Sequence, residues 1–470
     1  MTLVMCTWQN EKMANGTSTP ERILRYLAVT FHRVIESAGP PQSAQTLSFA
    51  LWSKQIMHRI FTAASILLAL SFVVWAGGKH SEKPSSGKVF FDARKHQTNY
   101  SGPGRQKRPP VDIREVLIGY FGPDTPSHRE AGDMWRAACL AIEQANRAGG
   151  YNGIPFRLVA GWSDNPWGTG ISKVVRMAYV DKVWAIIGGI DGPSTHLAEQ
   201  VVAKARLTLL SPASTDKTVN LANVPWMFSC LPGDHIQAPV LVNAISLYVG
   251  RKPFLLVSAT DHDSHLFTVE LNKSLIRQEI SPSYHFEFKH GNQDHTELVE
   301  KITKSRAHAL VVIAGARDSA RLVSDVRKKC FTGCIFGGPC MGRSSFLEEA
   351  GQAAEGVIFP LLYIPGKHSE SFEKEFSSRF GSSPDYLAAH TYDTVNLLIV
   401  AIRKAGLNRA RICDAVRELS PWAGVTGPVK WDTLGGNNRT VRLGTIRAGR
   451  VIPASGPPGP DEATLRCSRP

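Results

Sequence analysis

Residues 185–218 read AIIGGIDGPSTHLAEQVVAKARLTLLSPASTDKT and contain two uninterrupted apolar runs, AIIGG and LTLLSP, on either side of a helical pattern. Uninterrupted apolar runs are typical of parallel strands that are buried on both faces of a sheet. The intervening residues 194–204 have helical spacing. A strand, a helix and a second strand in this order predict one right-handed βαβ unit.

The same alternation extends in both directions from this unit. Upstream, the predicted elements are strand 115–121, helix 131–148, strand 156–162 and helix 171–179. Beyond 233 the pattern restarts, with helices predicted at 236–248, 266–278, 296–304 and 319–329 and strands at 253–259, 283–288, 309–315 and 334–338. Strands that alternate with helices predict parallel sheets, here two of comparable size.

The last third of the chain contains more elements than one sheet edge requires. They are strand 356–364, three helices at 371–380, 386–405 and 409–419, and a hairpin-like pair at 427–432 and 440–446. These elements are accounted for if the chain returns from the second sheet unit to the first and then crosses back. The predicted fold class is therefore α/β, with two doubly wound parallel-sheet lobes joined by a multi-strand hinge around a cleft.

The predicted elements divide the chain into successive segments. We expect an N-terminal extension (1–56), a signal peptide or anchor (57–77), a flexible linker (78–111), lobe I (112–232 plus 362–425), lobe II (233–361 plus 426–452) and a disordered tail (453–470). The extension precedes the export signal, so either the true start is Met57 or residues 1–56 are a cytoplasmic tail.

The export signal is the sequence that begins at Met57. His58 and Arg59 form a short basic region, residues 60–76 carry no charge, and small residues follow. This pattern predicts a cleaved signal peptide, although the run is also at the lower limit for a permanent membrane anchor. We favour cleavage and therefore a periplasmic or otherwise exported protein.

Composition and charge limit the classes of partner and cofactor. The formal net charge is +14, but lysines and arginines are interleaved with acids and no aromatic–basic platform accompanies them, so nucleic-acid binding is not expected. Cys330, Cys334 and Cys340 lack a fourth ligand at zinc spacing, which favours a disulfide or buried thiols. We expect no cofactor and no metal.

The glycines in 185–218 do not fit a phosphate loop. GGIDGPSTH has neither the dinucleotide spacing nor the lysine and hydroxyl pair of a P-loop. Gly192 stands two residues before Ser194, as in a serine hydrolase, but His196 occupies the place of the second glycine. A hydrolase with Ser194 as nucleophile remains the enzymatic alternative.

An anion seat is the binding interpretation of the same stretch. Pro193 suits the first turn of a helix, Ser194 can cap it, and free N–H groups in that turn favour an anion. Ser214 and Thr215 follow the next strand and face the same crevice, where open α/β sheets bind ligands. Alternatively, these hydroxyls merely cap a helix and a turn.

Further motifs occur in a fixed order along the chain: VLIGYFGP, AACLAIEQANRAGGYNGIPFRLV, LPGDHIQAPVL, AGQAAEGVIFP, RFGSSPDYLAAHTYDTVNLLIVAIRKAG and GVTGPVKWD. From about Glu115 to Gly449 this set resembles the type I periplasmic solute-binding proteins of ABC transporters, in the branch of the leucine/isoleucine/valine-binding protein. The resemblance implies a hinged, non-enzymatic binder that closes on an amino acid or a related small solute.

The resemblance also implies site residues. Ala213 and Thr215 would hold the ligand carboxylate through backbone N–H and hydroxyl groups, with Ser214 between them. Gly192 stands where the family offers a serine, with Ser194 two residues on. Together these residues imply a carboxylate seat in lobe I.

Lobe II departs from the family pattern. Cys340 follows the Gly-Pro pair where the family has its acidic partner for the ligand ammonium. The family's Tyr-Gly is replaced by DHDSH, so Asp261, Asp263 or His265 would act instead. Asp263 favours a cationic or amine-bearing solute.

Two further side chains are expected near the ligand. Arg317 falls near another binding position of the family and favours a second acidic group on the ligand. Trp162 and Trp167 flank SDNP and are candidates for an aromatic wall.

The expected function is that of a solute receptor whose closed form is recognised by the permease subunits of an ABC importer. A membrane-tethered ligand sensor that uses the same module is the alternative. The chain would meet the membrane only through the signal or anchor segment, or through the permease.

Overall fold

The computed structural model describes residues 100–454, and these residues form two α/β lobes, each built on one sheet. The strands, in chain order, are β1 Val116–Phe121, β2 Phe156–Gly161, β3 Ala185–Gly188, β4 Thr208–Ser211, β5 Met227–Pro232, β6 Phe254–Ala259, β7 Tyr284–Phe288, β8 Ala309–Ile313, β9 Cys334–Gly337, β10 Ile358–Leu361, β11 Trp422–Gly424, β12 Gly427–Val429, β13 Gly436–Asn437, β14 Arg442–Arg447 and β15 Arg450–Pro453.

The helices flank these sheets. They are α1 Gly132–Arg147, α2 Ile171–Tyr179, α3 Gly192–Ala205, α4 Asp234–Val249, α5 His262–Arg277, α6 Thr296–Lys304, α7 Ala316–Lys328, α8 Ser344–Ala350, α9 Glu370–Phe380, α10 Tyr386–Ala405 and α11 Arg409–Glu418. Short 3₁₀ turns occupy Pro339–Gly342 and Gly351–Ala354, and a π-helical turn occupies Pro166–Gly170.

The first lobe contains a six-stranded sheet in the order β13-β5-β4-β3-β1-β2, in which every pairing is parallel. Helices cover both faces, so strands such as β3 and β4 are completely buried. This burial explains why their sequences are continuous apolar runs rather than alternating ones.

The second lobe contains a seven-stranded sheet in the order β15-β14-β10-β9-β8-β6-β7. Strands β6 to β10 pair in parallel, whereas β14 and β15 add an antiparallel edge. The predicted α/β class with two parallel-sheet lobes is confirmed.

The chain passes three times between the lobes. The crossings lie between β5 and α4, between β10 and α9, and between β13 and β14. Buried polar side chains hold this region: the Asn437 side-chain amide donates to the Cys230 carbonyl over 2.9 Å, and that of Gln237 donates to the Pro232 carbonyl over 2.7 Å. Backbone groups that would otherwise be unpaired in the hinge are thereby satisfied.

Several boundaries differ from the expectations. Gly436–Asn437 pairs with β5, so this part of the stretch assigned to lobe II lies in the first sheet. The hairpin expected between 427–432 and 440–446 does not form: β12 pairs with β11, and β14 pairs with β10 and β15. Strand β5 was not recognised in the sequence. Pro453 belongs to β15 rather than to a disordered tail.

The segment 100–111 is not a flexible linker. Tyr100 is 3% exposed and its ring lies 4.7 Å from that of Trp226. The Asn408 side-chain amide donates to the carbonyls of Gly104, Arg105 and Lys107 over 3.0–3.2 Å. The segment therefore docks on the first lobe despite its content of Lys, Gly and Pro, because one aromatic side chain and one asparagine fix it there.

Some of the expected segments lie outside the described residues, and the described residues bear on the expectations for the cysteines and for membrane-spanning helices. The extension 1–56, the signal or anchor 57–77, and most of the linker and tail fall outside 100–454. Within the described residues, Cys139, Cys230, Cys330, Cys334, Cys340 and Cys413 are free thiols. None of the described helices is long and apolar enough to cross a membrane.

Replacement of Tyr100 tests the docking of the N-terminal segment. Tyr100→Ala should lower the free energy of unfolding by about 2 kcal/mol, because it removes a buried ring from Trp226. Chemical denaturation measures the change. Val111→Ala, at a side chain that is 91% exposed, should stay within about 0.5 kcal/mol of the parent. Equal stability of the two variants would contradict the docked arrangement.

Candidate functional site

The first turn of α3 lies where the two lobes meet. It follows β3, and α5 follows β6 in the other lobe, so each helix begins beyond the carboxyl end of a parallel strand. Gly188 (φ +143°) and Gly189 (φ +72°) make the connecting turn. A Cβ on Gly188 would lie 2.3 Å from the Phe121 carbonyl oxygen, and one on Gly189 would lie 2.0 Å from Thr195 Oγ1. The two glycines are therefore required by close packing within the lobe.

Asp191, rather than Ser194, caps α3. Its carboxylate accepts from the Ser194 N–H over 2.8 Å, and the Ser194 hydroxyl oxygen accepts from the Asp191 N–H over 3.3 Å, which completes a capping box. Ser194 is completely buried. Its hydroxyl also contacts the Asp191 carboxylate and the Ile190 N–H, and none of the described histidines hydrogen-bonds to it. These contacts favour the capping role over a ligand contact or a nucleophile.

A carboxylate from the second lobe covers the N-terminus of α3. The Gly192 N–H donates to both oxygens of Asp263, each over 3.1 Å, and Asp263 lies in the first turn of α5. Burial raises the pKa of Asp263 to about 7, and the nearby Asp191 adds to the shift. In this conformation Asp263 therefore occupies the place predicted for an anionic ligand.

The turn after β4 supplies further donors beside α3. Ala213 and Thr215 are partly buried, and their backbone N–H groups find no acceptor among residues 100–454. Ser214 is 1% exposed, and its hydroxyl accepts from the Asp216 N–H over 3.3 Å. The Thr215 carbonyl accepts from the Asp234 N–H over 2.8 Å, which ties this turn to the hinge. Burial raises the pKa of Asp234 well above its ordinary range.

An imidazole–carboxylate cluster lies next to the same turn. Asp216 Oδ2 is 2.8 Å from His196 Nε2 in α3 and 2.9 Å from His262 Nε2 in α5. The hydrogen bond to Asp216, together with one to Glu199, raises the pKa of His196 to about 9. Burial raises the pKa of Asp216, but hydrogen bonds from His196, Thr218 and His262 outweigh it and hold that pKa below its ordinary range.

Arg317 and Cys340 lie at the lobe boundary but are engaged by the protein. Arg317 pairs with Glu130 and with Glu349, both over 3.2 Å, so no second acidic group on a ligand is needed to balance it. Burial raises the pKa of the Cys340 thiol to about 12, which leaves it neutral. A neutral thiol does not replace the acidic partner of the family.

The remaining candidates are the tryptophans of the predicted aromatic wall and the residues of DHDSH. Trp167 is 61% exposed in the π-helical turn, whereas Trp162 packs on Phe121 at 5.2 Å between ring centroids. Asp261 caps α5 by accepting from the Ser264 N–H, and His265 is exposed one turn along that helix. Of the candidates in DHDSH, only Asp263 reaches the first lobe's seat.

A buried ion pair between the lobes was missed by sequence reasoning. Arg343 precedes α8 and is 7% exposed; its Nε lies 2.6 Å from Asp385 Oδ2, and its Nη2 donates to the Glu130 carbonyl over 2.7 Å. Asp385 also caps α10 by accepting from the Ala388 N–H. The two partners are 42 positions apart, and no local pattern joins them.

A cavity of about 510 Å³ lies elsewhere between the lobes, beside β10 and the start of α10. Its lining includes Tyr363, Asp385 and Tyr386, and none of the nine predicted ligand residues borders it. At the predicted seat, the Asp263 carboxylate lies on the Gly192 N–H.

Residues 115–450 match the family described as "Periplasmic binding protein". The chain belongs to this family. A curated relative, an "Amino acid binding protein" of Pseudomonas aeruginosa, is 24% identical over 339 residues, which cover 69% of this chain and 87% of the relative. The predicted membership in the type I branch of these proteins is confirmed.

Solved structures share the fold of this periplasmic binding protein. The branched-chain amino acid substrate-binding protein LivJ of Streptococcus pneumoniae, in complex with isoleucine, is 22% identical, with a TM-score of 0.65 and coverage of 72% of this chain and 97% of that one. A solute-binding protein of R. palustris, in complex with benzoate, is 14% identical, with a TM-score of 0.66 and coverage of 73% and 96%.

Replacement of Ser194 separates capping from ligand contact. Ser194→Ala should lower the free energy of unfolding of this periplasmic binding protein by about 1 kcal/mol, because the Ile190 and Asp191 N–H groups lose the hydroxyl that completes the capping box. Chemical denaturation measures this, with Ser283→Ala at an exposed serine as the control. A variant as stable as the control would contradict the capping role of the hydroxyl.

Proposed function

We propose that this periplasmic binding protein is an extracytoplasmic receptor that binds an amino acid or a closely related small carboxylate between its two lobes. The observation that carries the proposal is the set of backbone donors at the seat. The Gly192 N–H meets a carboxylate, and the N–H groups of Ala213 and Thr215 have no protein acceptor among the described residues. Three such donors beside a helix N-terminus suit a ligand carboxylate.

The ligands named for the relatives support a carboxylate. One relative is called an amino acid binding protein, and the two solved structures hold isoleucine and benzoate. Isoleucine and benzoate differ in their side groups and share only the carboxylate. A seat made of backbone donors is compatible with either ligand, because it would bind the carboxylate, and other contacts would bind the rest of the ligand.

Asp263 favours an amino acid over a plain carboxylic acid. Its carboxylate accepts from the Gly192 N–H. A ligand carboxylate that takes this position would displace Asp263 by a short distance, and the displaced group would then stand next to the α-ammonium. Pairing with an ammonium would also relieve the buried charge that raises the pKa of Asp263 to about 7.

Import through an ABC permease is the role that we propose for the ligand-bound form. Family membership supports export, and the apolar stretch 60–76 supplies a candidate signal. A tethered sensor that uses the same seat is the second candidate, and it is favoured only by the length of residues 57–77. The N-terminal sequence of the exported protein separates the two, because a start near Gly77 removes the tether.

Replacement of Thr215 tests the seat. Calorimetric titration with the standard amino acids identifies the ligand, and Thr215→Val should then weaken its binding about tenfold, because one hydroxyl donor is lost. Thr332→Val, at an exposed threonine, should bind like the parent. The absence of binding to any amino acid, or equal affinity in both variants, would contradict the proposal.

Replacement of Asp263 tests which ligand group it meets. Asp263→Asn should weaken binding of the amino acid at least tenfold, because the ammonium loses its counter-charge. Binding of the corresponding 2-oxo acid should stay the same or become tighter, because a competing carboxylate is gone. Titration of both compounds against both proteins gives the comparison. An equal loss for the two ligands would place Asp263 away from the ammonium.

A further inference from the structure

The cluster formed by His196, Asp216 and His262 has the composition of a transition-metal site. His196 Nε2, Asp216 Oδ2 and His262 Nε2 all lie within 4.8 Å of one another. Two imidazole nitrogens and one carboxylate oxygen are a donor set that zinc accepts, with a fourth position left to water. Magnesium and calcium prefer oxygen donors alone.

The distances from the Asp216 oxygen to the two imidazole nitrogens are close to those of a tetrahedral site. Asp216 Oδ2 lies 2.8 Å from one imidazole nitrogen and 2.9 Å from the other. Ligand atoms at about 2.0–2.1 Å from zinc in a tetrahedron are about 3.3 Å apart. The two distances therefore need to lengthen by about half an ångström, and the side chain of His262, which is 42% exposed, is free to turn.

Contacts with Glu199 and Thr218 already orient His196 and Asp216 as metal ligands would be oriented. Glu199 Oε2 lies 3.3 Å from His196 Nδ1, which directs the Nε2 atom of that ring toward Asp216. Thr218 donates its N–H and its hydroxyl to Asp216 Oδ1 over 2.7 and 2.6 Å, so that Oδ2 faces the two imidazoles. A carboxylate behind a ligating histidine is the usual outer contact of zinc sites.

The three donors come from both lobes. His196 belongs to α3 and Asp216 follows β4 in the first lobe, whereas His262 belongs to α5 in the second. An ion bound by all three would therefore join the lobes. It would also lie beside the carboxylate seat, because Asp216 Oδ2 is 3.4 Å from the position that a Cβ on Gly192 would occupy.

We propose that His196, Asp216 and His262 bind a zinc ion that links the two lobes next to the ligand seat. The site does not depend on the proposed amino-acid function, because its donors include none of the residues assigned to the amino acid. Binding is coupled to proton release, because a ligating imidazole is neutral. A bound ion tightens the contact between α3 and α5 and, by mass action, stabilises the conformation in which these helices meet.

The test is titration of the metal-free, full-length protein, kept in a mild detergent, with zinc chloride alone. Competition with a chromophoric zinc indicator measures the affinity at neutral pH. We expect His262→Ala to weaken the zinc affinity of this site at least tenfold, because only donors of the first lobe remain. His262 is a partly exposed residue at the start of α5, so circular dichroism should show an unchanged fold.

Controls make the outcome specific. His265→Ala removes an exposed histidine of the same helix and should leave zinc binding unchanged. Asp216→Asn should weaken binding as His262→Ala does. Histidines outside the described residues, such as His80 and His96, are present in every variant and cancel in the comparison. No zinc binding by the parent, or equal affinity of His262→Ala and His265→Ala, would overturn the proposal whether or not an amino acid binds.

Discussion

The N–H groups in the first turn of α3 need an acceptor that the helix itself cannot supply. The first lobe satisfies one of them with the Asp191 cap, and the second lobe satisfies the Gly192 N–H with Asp263. The lobes therefore meet at the Gly192 N–H, a donor that an anion could bind in place of Asp263. Under the proposed function, a ligand carboxylate would compete with the Asp263 side chain for this position.

Two other contacts fix the lobes relative to this donor. Arg343 and Asp385 form a buried ion pair across the boundary, and Asp216 accepts from an imidazole of each lobe. Breaking a buried ion pair without replacing its partners is costly, whereas an exposed imidazole exchanges its contact with water at little cost. Opening of the cleft beside α3 is therefore expected to involve His262 and Asp263 before Arg343.

The fold could be predicted from the sequence because its signals are local. Buried parallel strands are continuous apolar runs, and the helices at 171–179, 296–304 and 386–405 have the bounds that their periodicity predicts. The pairing of β13 with β5 could not be predicted, since two residues carry no periodicity. The docked segment near Tyr100 was missed because its composition is that of a spacer.

The site could be predicted only in part. Gly192, Ala213 and Thr215 follow β3 and β4, which are neighbours in the first sheet, and Asp263 of the second lobe accepts from the Gly192 N–H. The Asp216 cluster was not foreseen, because its histidines are 66 positions apart in the chain. The ion pairs of Arg317 with Glu130 and Glu349 could not be predicted, because these partners lie in segments that local patterns do not connect.

A crystal structure of the protein with its bound amino acid would test whether the first lobe holds the ligand carboxylate. We expect the ligand carboxylate oxygens within hydrogen-bond distance of the N–H groups of Gly192, Ala213 and Thr215, with Asp263 displaced from Gly192 and facing the α-ammonium. A ligand bound in the cavity beside β10 and α10, with Asp263 still on Gly192, would contradict this binding mode.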